Sequence, residues 1–145
     1  MGWRLQVALL AAAILVLAQR PLAPKLPDTY AASELRAWLR AFNSGDHKTI
    51  RDFRFTHYEK ADATTAELDA DVAMRAYERG GAWDLRAIEH STENEIVVEL
   101  QSRRNGWWAT VRVETSAEYP HKITFLRSIT SVRNPAPRMT VRSVR

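Results

Sequence analysis

The sequence predicts an α+β domain: three helices followed by, and packed on, a curled four-stranded antiparallel sheet, a cone. Three observations predict it. Apolar residues recur with a helical period up to Gly80-Gly81 and with a period of two beyond it. The period-two segments are separated by short turn-like stretches, and short links force neighbouring strands to run antiparallel. Three apolar helix stripes then need one sheet face to cover them.

The first helix follows Asp28 or Thr29, either of which can cap it, and runs to about Asn43. Ala31, Leu35, Trp38, Leu39 and Phe42 form its stripe. Asn43-Ser44-Gly45-Asp46 ends it, because Gly45 can take the left-handed conformation and Asp46 can cap the next helix. That second helix carries Ile50 and Phe53 on one side. After a small polar connection over 61–65, Thr65 can cap a third helix with Leu68, Val72, Ala73, Ala76 and Tyr77 on its apolar side.

Four strands follow. Trp83, Leu85 and Ala87 alternate with Asp84 and Arg86, and Ile96, Val98 and Leu100 with Glu95, Glu99 and Gln101. Trp107, Ala109, Val111 and Val113 alternate with Trp108, Thr110 and Arg112, and Ile123 and Phe125 with Thr124 and Leu126. The first-named residue sets are expected to face the core. Asn105-Gly106 reads as a tight hairpin in which both residues accept positive φ. Asn134-Pro135-Ala136-Pro137 ends the ordered part.

The chain divides into four stretches. Residues 1–18 have the form of a signal peptide or membrane anchor: Arg4, then Leu5 to Ala18, apolar apart from Gln6. These 14 residues fall short of the ~20 a spanning helix needs. The segment directs the domain to the periplasm or the extracellular space, with membrane attachment only through an uncleaved leader. Residues 19–28, with Pro21, Pro24 and Pro27, form a semi-rigid spacer. Residues 29–132 are the domain, and 133–145 a basic disordered tail.

Charge and composition exclude several classes. The net charge is +4, but residues 19–132 carry 16 basic against 17 acidic side chains. The excess lies in Arg133, Arg138, Arg142 and Arg145, so the body lacks the basic face that nucleic acid requires. With no cysteine, the chain has no disulfide and no thiolate chemistry.

The stretch Leu35-Arg36-Ala37-Trp38-Leu39-Arg40-Ala41-Phe42-Asn43-Ser44-Gly45-Asp46, with Gly80-Gly81-Ala82-Trp83-Asp84-Leu85-Arg86 and His121-Lys122-Ile123-Thr124-Phe125, resembles the nuclear-transport-factor-2-like (SnoaL-like, cystatin-like cone) superfamily. It is similar to the accessory domain that precedes the catalytic domain of some exported bacterial serine hydrolases. The resemblance implies the cone fold over residues 29–132, a homodimer, and a serine hydrolase as a possible partner. The Ser-x-x-Lys motif of such hydrolases is absent, since no lysine has a serine three residues earlier.

Such cones can hold a pocket between helices and sheet, with His, Asp or Tyr as acid or base. The candidates are His57, Tyr58, Tyr77 and His90, His90 standing beside Glu89 at the end of the first strand. Surface or rim placement explains them as well. Trp38, Trp83 and Trp107 sit at core positions. Trp108, Thr110 and Arg112 face the other way and are candidates for partner binding. No metal is expected: the four histidines have no i, i+3 or i, i+4 pairing, and Asp69 and Asp71 diverge on their helix. No cofactor is indicated. These features point first to an exported, non-catalytic interaction or accessory module that self-associates through the open sheet face. The alternative is a small-molecule binder or acid/base enzyme that uses the pocket.

Overall fold

A computed structural model describes residues 22–131. The proposed leader, residues 19–21 of the spacer, residue 132 and the basic tail lie outside them. Three helices, α1 (Tyr30–Asn43), α2 (His47–His57) and α3 (Ala63–Gly80), precede four strands. These are β1 (Trp83–Ser91), β2 (Glu95–Ser102), β3 (Trp108–Thr115) and β4 (Ile123–Ser131). The sheet is an antiparallel meander in the order β1-β2-β3-β4. Among the described residues, no helix is long and apolar enough to cross a membrane.

Each helix starts on a side-chain cap. Thr29, rather than Asp28, accepts the Ala32 N–H at 3.2 Å. Asp46 caps α2 as expected, taking the Thr49 N–H at 2.8 Å and its hydroxyl at 2.6 Å. On α3 the cap is Asp62, three residues ahead of Thr65, which donates to Asp62 instead of capping. A carboxylate outcompetes a hydroxyl for the orphan N–H groups of a first turn, so the helix starts at Ala63. These hydrogen bonds hold the Asp46 and Asp62 carboxyls below their ordinary range.

The core lies between α1 and the sheet. Ala31, Ala32, Leu35 and Phe42 pack against Ile96, Val98, Leu100, Val111 and Val113. Asn43 ties the end of α1 to the start of β1: its side chain donates to Trp83 O and accepts from Trp83 N, both at 2.9 Å. Gly45 turns the corner with φ +62°, in close approach to the Tyr77 ring.

α3 buries a face other than the one its large residues mark. Ala66 and Ala70 are fully buried, while Leu68 and Val72 remain 57% and 53% exposed. The alanines let α3 lie closely on α2, and that contact turns the larger side chains outward. α3 packs chiefly on α2 and makes little contact with the sheet.

Three irregularities alter the expected strand faces. On β1, Leu85 pairs with Leu100 and Ala87 with Glu99, and Ile88 with Val98 and His90 with Val97, so Arg86 and Glu89 are extra residues. Leu85 and Ile88 therefore share the core side, and Ala87 moves to the open face with His90. On β4, Glu114 pairs with Phe125 and Thr115 with Ile123, so Thr124 is extra. Phe125 faces outward and Leu126 inward, the reverse of strict alternation. Bulges of this kind bend a strand and increase its twist. In the β2–β3 connection only Gly106 has positive φ, at +71°, so the link is not the two-residue turn that both residues could have formed. Ser102 N–H donates to Trp107 O at 2.8 Å, and Trp107 lies just before β3.

Candidate ligand cavity

Because α3 leans on α2, a gap remains between α3 and the β3–β4 half of the sheet. It is a cavity of about 260 Å³. Its walls include Trp38, Phe42, Phe53, Trp83, Leu100 and Leu126, with Val72, Ala73 and Ala76 supplied by α3. Val72, Ser128 and Thr130 are exposed and mark where it opens to solvent.

The polar groups gather on the α2 side. Arg54 Nη1 donates to Asp69 Oδ2 at 2.5 Å, with the two side chains 18% and 44% exposed. The Arg54 guanidinium lies over the Tyr58 ring, 3.8 Å from its centre. Arg54 Nε is buried and donates no hydrogen bond among the described residues. All three residues line the cavity. Burial pushes the Tyr58 hydroxyl up to about 12, opposed in part by the Arg54 charge. At neutral pH this hydroxyl is a neutral donor and acceptor, not a base.

The structure separates the four pocket candidates. Tyr58 lines the cavity. His57 stacks on Phe53 at 4.4 Å, and its Nδ1 lies 2.7 Å from Glu34 Oε2, so its polar contact is with α1 instead. Tyr77 packs edge-on to Phe42 at 5.9 Å and is not among the lining residues. His90 is exposed on the opposite face of the sheet, because the two β1 bulges fix its register with Val97. His57, Tyr77 and His90 thus do not line this cavity. Arg54 and Asp69 are the charged cavity residues that sequence reasoning missed, as it missed Ser128 and Thr130. The spacing of 15 between Arg54 and Asp69 carries no local signal, since the pair forms only when α2 meets α3.

Trp108, Thr110 and Arg112 lie on the open face, as their alternation predicts. Trp108 is opposite Gln101 and Ser131, and Thr110 opposite Glu99 and Ile129. Arg112 pairs with Glu114 at 2.8 Å and Glu95 at 3.3 Å. Phe125 and Ile129 add apolar surface along β4.

The structure also assembles a group that could hold a metal ion, which the histidine spacing alone did not suggest. His47 Nε2 is 3.0 Å from Asp71 Oδ1 and 3.5 Å from Glu67 Oε1. The ligand atoms of all three lie within 4.8 Å of one another, on the exposed outer side of α2 and α3. Arg51 also approaches Glu67, at 3.7 Å, so ion pairing already accounts for the arrangement.

Comparison of the chain with models of known families, with characterised proteins and with solved structures finds no match.

Proposed function

We propose that this chain is a non-catalytic binding module that acts outside the cytoplasm and holds a small molecule between α3 and the sheet. The observation that carries this reading is the unfilled space itself. Large residues along the middle of this face would have closed the gap, whereas α3 presents Ala73 and Ala76 there, with Val72 at the exposed rim. Cavities lined by aromatic and aliphatic walls with a few convergent polar groups are the usual form of a small-molecule site. The two histidines that could have served as acid or base stand elsewhere, which favours binding over turnover. Export rests on the form of residues 1–18.

The test fills the space. Trp38 and Trp83 line the cavity, so ligand entry alters tryptophan fluorescence. A saturable change is expected when compact apolar molecules are titrated into the parent. It should be lost in a folded Ala76→Phe variant. An identical titration in Ala76→Phe, or no saturable change in the parent, overturns the reading.

A second reading is an accessory module that pairs with another copy of itself through the open sheet face. The observation that favours it is the exposed apolar surface of Phe125 and Ile129, with half-buried Trp108 beside them, on the face away from the helices. Light scattering decides it: the parent should have twice its monomer mass and Trp108→Ala the monomer mass. A monomeric parent, or no change in Trp108→Ala, rejects it.

A further inference from the structure

The cavity also specifies the kind of molecule it would take. We propose, on the basis of the cavity reading above, that its ligand is a compact, uncharged ring compound bearing one hydroxyl or carbonyl. The ring lies against Trp38, Phe42 and Trp83, and the polar group points toward Tyr58 and the Arg54–Asp69 pair.

Size sets the first limit. At the packing density of a protein interior, 260 Å³ holds about a dozen non-hydrogen atoms. A mono- or bicyclic molecule meets that limit, and a long acyl chain or a nucleotide exceeds it.

Charge sets the second. Among the described residues the lining contains one cation and one anion, Arg54 and Asp69, and they are already in contact. A charged ligand would leave its water for a site with no net charge to receive it, and burial of an unpaired charge is costly. A carboxylate would meet an Arg54 charge that Asp69 already neutralises, so the free Nε–H alone would receive it, and an ammonium would have to compete with Arg54 for Asp69. An uncharged hydroxyl or carbonyl meets neither obstacle, because the neutral Tyr58 hydroxyl can donate or accept.

Placement sets the third. The polar side chains come from two places, Arg54, Asp69 and Tyr58 on the helices and Ser128 and Thr130 on β4. The walls between them are apolar, so a ligand with polar groups all round its ring would leave some of them without a partner.

The experiment uses four molecules on one skeleton: 4-tert-butylbenzyl alcohol, 4-tert-butylbenzoate, 4-tert-butylbenzylammonium and 4-tert-butyltoluene. Each is titrated calorimetrically at neutral pH into the parent, Tyr58→Phe, Asp69→Asn and Ala76→Phe. In the parent, the alcohol should bind at least tenfold more tightly than either ion. Tyr58→Phe should narrow the lead of the alcohol over the toluene. Asp69→Asn leaves Arg54 without its anion and should reverse the order of alcohol and benzoate, an outcome that general loss of packing does not produce. If the benzoate or the ammonium binds the parent more tightly than the alcohol, and Ala76→Phe blocks it, the cavity reading stands and the uncharged ligand class is wrong. An unchanged order in Asp69→Asn also overturns the charge argument. If none of the four binds, or all bind Ala76→Phe as they bind the parent, the cavity reading fails and takes this proposal with it.

Discussion

The carboxamide of Asn43 pairs with both main-chain polar groups of Trp83, donating to its carbonyl and accepting from its N–H at 2.9 Å each. One side chain at the end of α1 thus acts as a short strand neighbour for the first residue of β1. It sets where the sheet starts relative to the helix, and it seats Trp83 in the cavity wall.

Asn43→Ala leaves the two Trp83 groups without their partner in a largely buried position. The expected loss is about 2 kcal/mol, in line with two deleted hydrogen bonds. Urea denaturation measures it. Asn43→Asp keeps the acceptor and loses the donor, so it should fall between parent and Asn43→Ala. A loss below a few tenths of a kcal/mol in Asn43→Ala would remove the pairing from any structural role.

Gly45 and Tyr77 form a second such relationship. A methyl group on Gly45 would lie 2.5 Å from Tyr77 Cε1, and φ there is +62°. Gly45→Ala should destabilise by roughly 1–2 kcal/mol from the left-handed backbone alone, with a further cost from the ring. In the Tyr77→Ala background only the backbone part should remain. Additive losses in the double mutant would contradict the close approach.

The Tyr58 hydroxyl, raised to about 12 by burial, links stability to alkaline pH. An unfolded tyrosine ionises near 10. The folded state therefore holds this proton more tightly, and its contribution is complete below pH ~10 and lost as pH rises toward 12. Ultraviolet titration should show one tyrosine ionising late, and Tyr58→Phe should abolish that late step. A late step that persists in Tyr58→Phe assigns it to another residue.

The orientation of α3 gives a contrast within one helix. Leu68 is 57% exposed and Ala70 is fully buried. Leu68→Lys should change stability by less than about 0.5 kcal/mol, whereas Ala70→Lys should prevent stable folding by forcing a charge between α2 and α3. Thermal melts of the two variants suffice. Equal destabilisation would restore Leu68 to the core side.

Local chemistry made much of the fold legible. The periodicity change after Gly81, the stop at Asn43–Asp46 and the turn residues are properties of neighbouring residues, and they placed three helices before four antiparallel strands. The alternation on β2 and β3 also predicted which side chains face inward, because neither strand carries a bulge between its pairing partners. The outward placement of Trp108, Thr110 and Arg112 follows from it.

The bulges lay beyond that reach, since an extra residue in one strand is defined only against its partner. They moved Ala87 and Phe125 to the open face and brought Ile88 and Leu126 to the core side. The cavity is likewise a tertiary result. Ala66 and Ala70 on α3 compete with Leu68 and Val72 for burial, and close helix packing on α2 decided in favour of the small residues. That choice left space beside the sheet and brought Arg54 of α2 to Asp69 of α3. Sequence alone determined the elements and their order, because those depend on neighbours in the chain. The site depended on how two helices meet, a balance of packing that no local pattern encodes.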